Sequence, residues 1–237
     1  MTLAELEKEV PELLDYTRTM PPDIRQRVII KKHPPGSLIH QKDCELKYFG
    51  IVAKGENRVI NEFENGKVYM IETNHAIDFI GEVTLLAKKE RTSVSIEAVS
   101  ENTVIYISRK DAEKWVDSDE NILRKMAERT AFKLYRSSYN NGLKLFYPPS
   151  YLLADYLVKL YEQELPDMIT SKTGHYKPFI LQKTRERLTE ELGMNIKTLD
   201  RTIRSMNHEE YFSLVKGKIS FSYEQYLRLK EYLVTFS

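Results

Sequence analysis

The sequence contains very little of what would mark an exported, membrane-bound or metal-clustered protein. Its 237 residues include one cysteine, Cys44, which excludes an intrachain disulfide framework and any cluster held by several cysteines of one chain. No apolar run approaches the roughly 18 residues that a membrane-spanning helix needs. The first residues, MTLAELEKEVPELL, are too acidic for a signal peptide and lack its apolar core. These absences favour a cytoplasmic protein in a reducing compartment.

An excess of charge of one sign is also missing, because 36 Lys and Arg side chains oppose 35 Asp and Glu side chains. With a net charge of +1, any contact with nucleic acid has to come from a local basic patch. There is no His-x-His pair of the kind that the metal chemistry of a cupin enzyme needs. No Ser/His/Asp or Cys/His constellation stands out either, so the sequence argues against an enzyme and against a bound metal.

Short β-type runs separated by turn residues occupy residues 26–107. The most informative pair is 58–63 and 68–73, because Asn65-Gly66 between them is the strongest short hairpin signal. Other runs cover residues 28–30, 37–40, 48–53, 93–99 and 103–107. Many short strands at this spacing indicate an antiparallel sandwich or barrel. In front of them, residues 3–18 predict a short amphipathic helix closed by Pro21-Pro22.

A long helix is predicted over residues 119–144, which contain no proline and little turn chemistry. One stripe of this helix alternates steps of four and three residues, which is typical of a coiled-coil seam. The stripe consists of Leu123, Ala127, Thr130, Leu134, Ser137 and Asn141. A second copy of the chain is its simplest partner, so a homodimer through residues 119–144 is predicted. Pro148-Pro149-Ser150 then indicates a hinge and the start of a helix over 150–164, followed by a loop over 165–178.

Residues 184–206 have the pattern of a helix-turn-helix. Thr184 caps the first helix, Gly193 supplies the tight turn, and Asn195 caps the second helix. The apolar inner positions are Leu188, Leu192, Leu199, Ile203 and Met206. The outer face of the second helix carries residue types that contact base edges and phosphates in the major groove. These residues are Lys197, Thr198, Arg201 and Arg204.

A hairpin is predicted directly after the helix-turn-helix, because residues 213–215 and 219–221 flank Lys216-Gly217-Lys218. This gives a winged arrangement, with Lys216 and Lys218 at the tip for phosphate contact. Segment 183–204 has six basic and four acidic residues, so its excess of positive charge is small. The alternative is therefore an ordinary helical hairpin with a solvated charged face.

A second candidate site begins at Gly81, where glycine lets the backbone approach a ligand closely. The segment Glu82–Leu86 predicts one helical turn whose free N–H groups can hold a phosphate. Arg91 can neutralise that phosphate, and Glu82 can accept a hydrogen bond from a ribose 2′-OH. The alternative is a Glu82–Arg91 ion pair that holds the loop together without any ligand.

These pieces, in this order and spacing, resemble the Crp/Fnr superfamily of bacterial transcription regulators over residues 28–221. The residues that carry the resemblance are Pro35-Gly36-Ser37-Leu38-Ile39, Val52-Ala53-Lys54-Gly55, Phe79-Ile80-Gly81-Glu82-Val83, Arg91-Thr92, and Thr184-Arg185-Glu186-Arg187-Leu188 through Gly193. The resemblance implies an α+β chain with an N-terminal antiparallel β-roll of the cupin-like, cyclic-nucleotide-binding type. A long dimerisation helix and a C-terminal winged helix-turn-helix follow. The implied domains are 1–117, 118–146 and 147–237.

The resemblance also implies roles for individual positions. In members that bind cyclic AMP, the positions of Gly81 and Glu82 contact ribose, and those of Arg91 and Thr92 contact phosphate. Two adjacent hydroxyl residues on the dimer helix contact the base, one from each subunit. The matching residues here are Ser137 and Ser138. A cAMP-like cyclic nucleotide is therefore the candidate effector, with palindromic double-stranded DNA and RNA polymerase as candidate partners.

Several positions depart from the family pattern. Thr84 replaces a smaller residue, and Glu90 places a negative charge beside the phosphate-binding arginine. In the recognition helix, Ile196 and Lys197 stand where the catabolite activator protein has an Arg-Glu pair, and only Arg201 is kept. The operator is therefore expected to differ from the catabolite activator's.

The leading interpretation is a sequence-specific DNA-binding transcription regulator whose DNA affinity depends on a small effector bound in the β-roll. One alternative is a constitutive regulator with a vestigial effector pocket. Another is a nucleotide-sensing protein-interaction module that does not bind DNA. A single cysteine excludes the iron–sulfur sensors of the superfamily, and the five histidines show no paired pattern for haem.

Overall fold

A computed structural model describes residues 1–165 and 178–236, with only the backbone described for residues 139–141. Two compact units divide the chain, Met1–Ser138 and Tyr139–Ser237. Each unit combines helices with antiparallel strands, which confirms the predicted α+β class. Most of the predicted loop 165–178 and the side chain of Asn141 lie outside the described residues.

The first unit begins with short helical pieces. They are α1 (Leu3–Glu9), a 3-10 turn (Pro11–Leu13), α2 (Leu14–Thr17) and α3 (Pro22–Arg25). The prediction of one helix over residues 3–18 is therefore wrong. Pro11 has no N–H with which to continue the hydrogen-bond ladder, so α1 ends before it and the chain restarts.

The β-roll consists of two four-stranded antiparallel sheets. The first has the order β1 (Ile29–His33), β8 (Asn102–Ser108), β3 (Tyr48–Lys54) and β6 (Asp78–Ile80). The second has the order β2 (Leu38–His40), β7 (Ser95–Ala98), β4 (Glu56–Glu62) and β5 (Val68–His75). Asn65-Gly66 turns β4 into β5 as predicted, with Gly66 at a φ of 74°. The predicted antiparallel architecture is confirmed.

Side-chain alternation gives the first sheet two different faces. Phe49 lies on the face that packs with Trp115 of α5 (Arg109–Ser118) in the main core of this unit. Val52 lies on the opposite face and packs with Ile96 of the second sheet. A ligand inside the roll would therefore contact the face of Val52.

Helix α6 (Glu120–Phe146) confirms the predicted long helix and carries two different stripes. Ile122 and Met126 are fully buried in the core of the first unit. Leu123 and Leu134 belong to the neighbouring stripe and are exposed. Because adjacent positions on a helix point in different directions, α6 packs on the roll with one stripe and leaves Leu123, Ala127 and Leu134 of the predicted seam exposed.

The second unit is built around three antiparallel strands and four helices among its described residues. Its elements are α7 (Pro149–Glu164), β9 (Phe179–Ile180), α8 (Arg185–Leu192), α9 (Ile196–His208), β10 (Ser213–Val215), β11 (Lys218–Phe221) and α10 (Tyr223–Val234). All the predicted inner positions of the helix-turn-helix are buried in one core. In the described part of the chain, no helix is both long and apolar enough to pass through a membrane.

Candidate effector pocket and nucleic-acid interface

The predicted ligand segment starts at Gly81, which has a left-handed φ of 86°. A Cβ at this position would lie 2.6 Å from Leu46 Cδ1, so both the backbone conformation and the packing require glycine. Helix α4 (Glu82–Leu86) follows directly, and the Leu85 N–H donates to the Gly81 carbonyl over 2.9 Å. The predicted helical turn is therefore present.

Glu82 is buried, and its partner is Lys133 of α6. The Lys133 Nζ lies 2.8 Å from Glu82 Oε1 and 2.9 Å from Asp78 Oδ2. Burial raises the pKa of Glu82, although the charge of Lys133 opposes this. Burial by itself would lower the pKa of Lys133, but the two carboxylates raise it above its ordinary value, so the ammonium stays protonated. The alternative of a Glu82–Arg91 ion pair is wrong.

A second charged contact joins α6 to the roll. Arg136 donates to the Glu72 carboxylate and, over 3.2 Å, to Asn74 Oδ1. Glu72 lies opposite Val59 in the β4–β5 register, so the two side chains share a face of the sheet. Together with the Lys133 contacts, α6 therefore meets three carboxylates of the roll with two cations. This part of the roll is polar and acidic, and its carboxylates already form ion pairs with side chains of α6.

Arg91 and Thr92 have different surroundings from Glu82. The exposed Arg91 donates from Nη1 to the Asp43 carbonyl over 2.8 Å and has no ion pair among the described residues. The buried Thr92 hydroxyl donates to the Gln41 carbonyl over 3.0 Å and lies 2.7 Å from His40 Nε2. Arg91 thus keeps its charge available for an anion, whereas the Thr92 hydroxyl is already engaged.

A cleft of about 520 Å³ opens beside Arg91. Its aromatic and apolar lining comes from Ile39, Tyr48, Ile80 and Tyr106. The Tyr106 hydroxyl hydrogen-bonds His33 Nε2 over 2.8 Å, and burial raises the Tyr106 pKa to about 12. This cleft can accommodate a small molecule that carries an anionic group for Arg91.

Ser137 and Ser138 lie on α6 one turn after Lys133. Ser137 is half-buried and Ser138 is exposed. The sequence pattern did not single out Lys133, although its spacing of seven from Met126 places it on the buried stripe of a helix. The structure therefore brings Lys133 to Glu82 and leaves Ser138 accessible to another molecule.

The helix-turn-helix has the predicted caps and turn. Thr184 Oγ1 accepts from the Arg187 N–H over 3.2 Å at the start of α8. Asn195 Oδ1 accepts from the Thr198 N–H over 2.9 Å at the start of α9. Gly193 between the helices has a left-handed φ of 67°. The side chains of Thr184 and Asn195 therefore determine where the two helices begin.

Three basic side chains of α9 are exposed and make no ion pair in the part of the chain that the structure describes. They are Lys197, Arg201 and Arg204. The cations near α8 are engaged, because Lys183 and Arg187 contact Glu191 and Arg185 lies 3.7 Å from Asp200. Among the described residues of the helix-turn-helix, positive charge without an ion pair is therefore concentrated on α9.

Strands β10 and β11 form the predicted wing. Lys216 and Gly217 turn the hairpin with positive φ angles of 50° and 78°. Arg185 Nη2 donates to the Gly217 carbonyl over 3.0 Å, which fixes the tip of the wing to α8. Lys216 is exposed, and Lys218 donates to the side chain of Gln182.

Glu191 is a buried carboxylate on α8 to which the sequence pattern assigned no role. Lys183 Nζ and Arg187 Nε each lie 2.8 Å from it, and the Tyr156 hydroxyl donates to it. Burial raises the pKa of Tyr156, so this hydroxyl keeps its proton. The Lys144 ammonium donates to the Glu191 backbone carbonyl over 3.2 Å. Burial lowers the pKa of Lys144 to about 8. The last turn of α6 and helices α7 and α8 are thereby joined in one network.

The sequence of this chain is similar to those of known proteins. Residues 30–119, from β1 to the end of α5, match the model of the cyclic nucleotide-binding domain. The cAMP-activated global transcriptional regulator CRP of Salmonella typhimurium is 26% identical over 186 residues, covering 78% of this chain and 85% of that protein. CRP of Escherichia coli matches with the same identity and coverage. These findings confirm the resemblance to the Crp/Fnr superfamily.

Solved structures of Crp/Fnr regulators have the same fold. A crp/fnr-family transcriptional regulator from Eubacterium rectale superposes with a TM-score of 0.74 at 16% identity, covering 95% of this chain and all of that chain. A CRP/FNR-family regulator from Thermus thermophilus superposes with a TM-score of 0.66 at 17% identity, covering 86% and 98% of the two chains. The predicted arrangement of β-roll, long helix and helix-turn-helix is therefore confirmed. The CRP proteins that match this chain are cAMP-activated transcriptional regulators.

Proposed function

We propose that this chain is a sequence-specific DNA-binding transcription regulator, with α9 lying in the major groove. The observation that carries the proposal is the set of exposed cations, without an ion pair among the described residues, on a helix whose start is fixed by the Asn195 cap. Arg201 is the main candidate for base recognition, because its planar fork of donors matches guanine O6 and N7. The DNA-binding residues are Thr184, Asn195, Lys197, Thr198, Arg201, Arg204, Lys216 and Lys218.

Exposed leucines on the predicted seam of α6 support a homodimer. Leu123 is 41% exposed and Leu134 is 67% exposed, although both lie on a helix whose other stripe is buried. A second α6 packed along this seam would remove these leucines from water. The symmetric dimer would present two α9 helices and so favour a palindromic operator.

Effector control is supported by the double role of α6, which carries both the seam and Lys133. A molecule that competes with Lys133 for Glu82 would act directly on the dimer helix and bias its arrangement. We place the transmission of this bias at Tyr147-Pro148-Pro149, between α6 and α7. The similarity to cAMP-activated CRP favours a cAMP-like effector. Its candidate contacts are Gly81, Glu82, Arg91, Thr92, Ser137 and Ser138.

A constitutive regulator with a vestigial pocket is the second candidate, and one observation favours it. Lys133 and Arg136 already neutralise Glu82 and Glu72 without any ligand. In that case the roll would serve only to hold α6 in place.

The test of DNA binding compares two duplexes, one selected from a random pool by the full-length protein and one with its sequence scrambled. Arg201→Ala should weaken binding to the selected duplex about 10- to 100-fold and leave binding to the scrambled duplex nearly unchanged. The matched control is Arg228→Ala, which removes an exposed arginine from α10. Equal loss on both duplexes would contradict the base-recognition role. A pool that yields no enriched sequence would contradict the regulator and favour the protein-interaction module.

A further inference from the structure

Ile196 is an exposed apolar side chain at the start of the helix assigned to the major groove. It is the first residue of α9, and 42% of its surface is exposed. The other exposed residues of the first two turns include Lys197 and Arg201, which are charged. An isoleucine among them is therefore out of keeping with its neighbours.

The packing of the domain does not explain this isoleucine. Helix α9 contributes Leu199 and Ile203 to the core of the second unit, and Met194 packs against that core from just before the helix. Ile196 does not belong to this core.

The start of the helix does not require isoleucine either. Asn195 supplies the cap with its own side chain, and β-branched residues are only moderate helix formers. Neither folding nor capping therefore accounts for the residue at position 196.

The chemistry of the major groove offers an explanation. Base edges there present hydrogen-bond donors and acceptors, except for the C5-methyl group of thymine, which is the apolar feature of the groove. An isoleucine side chain has no donor or acceptor, so the thymine methyl is the group that it can contact favourably. Side chains near the N-terminus of a recognition helix are the ones that reach base edges.

We propose that Ile196 recognises thymine through its C5-methyl group and thereby specifies an A·T pair in each operator half-site. This inference rests on the proposed DNA-binding function. It assigns Ile196 a part in specificity that Lys197 and Arg201 cannot supply, because those side chains only donate hydrogen bonds.

The test replaces each thymine of the selected duplex in turn by deoxyuridine, which removes the methyl group and keeps all the hydrogen-bonding groups. At one thymine position per half-site, wild-type binding should weaken about fourfold, and about 15-fold when both half-sites are changed, since a buried methyl contributes about 0.8 kcal/mol. Ile196→Ala should bind the thymine duplex more weakly by a similar factor and should no longer distinguish thymine from uracil. Because the wild type and Ile196→Ala are measured on the same two duplexes, any effect of uracil on DNA shape cancels when the two proteins are compared.

Two control variants make the result specific. Ile196→Val keeps a branched apolar side chain and should keep most of the preference for thymine. Leu227→Ala removes a side chain of nearly equal exposure, 41%, from α10 and should leave both affinities unchanged.

The failure of this inference can be told apart from the failure of the proposed function. If a duplex is selected but no uracil substitution weakens binding, or if Ile196→Ala is as sensitive to uracil as the wild type, the thymine contact is overturned and the regulator stands. If no sequence is enriched at all, the proposed function is overturned, and the thymine contact with it.

Discussion

Lys133 and Glu82 form a buried ion pair, with 2.8 Å between Nζ and Oε1, that joins the long helix α6 to the first residue of α4. The two side chains are 14% and 6% exposed, and Asp78 shares the same ammonium. The resemblance implies that Glu82 contacts a ribose. Here the Glu82 carboxylate instead pairs with Lys133 of α6, the helix that carries the predicted dimer seam. An effector that binds Glu82 would therefore break the contact between Glu82 and Lys133 of α6.

Removing the ammonium should destabilise the first unit strongly. Lys133→Ala removes the ammonium that pairs with the buried Glu82 and Asp78, and breaking one side of a buried pair costs about 3–5 kcal/mol. Trp115 is the protein's one tryptophan and is fully buried in the core of this unit. Its fluorescence should therefore report a lower urea midpoint for the variant.

The control for this variant is Lys114→Ala, which removes an exposed pair with Asp23. Exposed pairs contribute about 0–1 kcal/mol, so the urea midpoint should change little. If the two variants lost the same stability, the buried pair would not have the importance that its geometry indicates.

The seam of α6 makes a second prediction. Leu134→Lys places a charge on each side of the proposed symmetric interface and should raise the dimer dissociation constant at least about 100-fold, given about 1.5–3 kcal/mol for each buried leucine. Sedimentation equilibrium should then give the 27.9 kDa of one chain instead of twice that mass. Glu128→Lys, on an exposed position of α6 away from the seam, should remain dimeric. A wild type that sediments as one chain would refute the dimer.

The charge of Arg91 makes a third prediction, on the effector. Because Arg91 is bound to a carbonyl and not to a carboxylate, a cyclic phosphate can take its remaining donors without breaking an ion pair. Calorimetry should show saturable binding of cyclic AMP, and Arg91→Ala should weaken it about 10- to 100-fold, the value of a charged hydrogen bond. Arg109→Ala, which removes an arginine paired with Glu113, is the control. Absence of binding by cyclic AMP and cyclic GMP would favour the constitutive regulator.

The helix-turn-helix could be predicted from the sequence because its determinants are local. The cap of α9 joins Asn195 to Thr198, and its buried positions Leu199 and Ile203 follow at helical spacing. Helices α5 and α10 have comparable capping residues in the sequence. Ser108 caps α5, and Ser222 forms a capping box with a glutamine at the start of α10.

The charged networks could not be predicted, because their members are far apart in the chain. Glu82 and Lys133 are separated by 51 residues, and Tyr156 and Glu191 by 35. Which of several lysines meets a given carboxylate depends on how α6 packs against the roll, and no local pattern contains that information. The sequence suggested Arg91 as the partner of Glu82 because both lie in one short segment of the chain, nine residues apart.

The network around Glu191 makes a prediction about pH. Burial lowers the pKa of Lys144 to about 8, whereas in an unfolded chain it is about 10.4. Between these two values the unfolded chain binds more protons at this site than the folded chain, so the site makes unfolding harder as pH rises. This sign is opposite to that of a lysine stabilised by a carboxylate, because the folded protein disfavours the charged form of Lys144.

The measurement follows urea unfolding by far-UV circular dichroism at several pH values from about 7.5 to 9.5, which lies below the ordinary titration of tyrosine. Over this range the wild type should gain stability relative to Lys144→Met, in which the titrating group is absent. Lys159→Met removes an exposed lysine that pairs with Asp155 on α7 and should run parallel to the wild type. If the wild type and Lys144→Met instead run parallel, Lys144 is not held in the buried, charge-disfavouring position beside the Glu191 carbonyl. The end of α6 would then not be tied to the first helix of the helix-turn-helix through this contact.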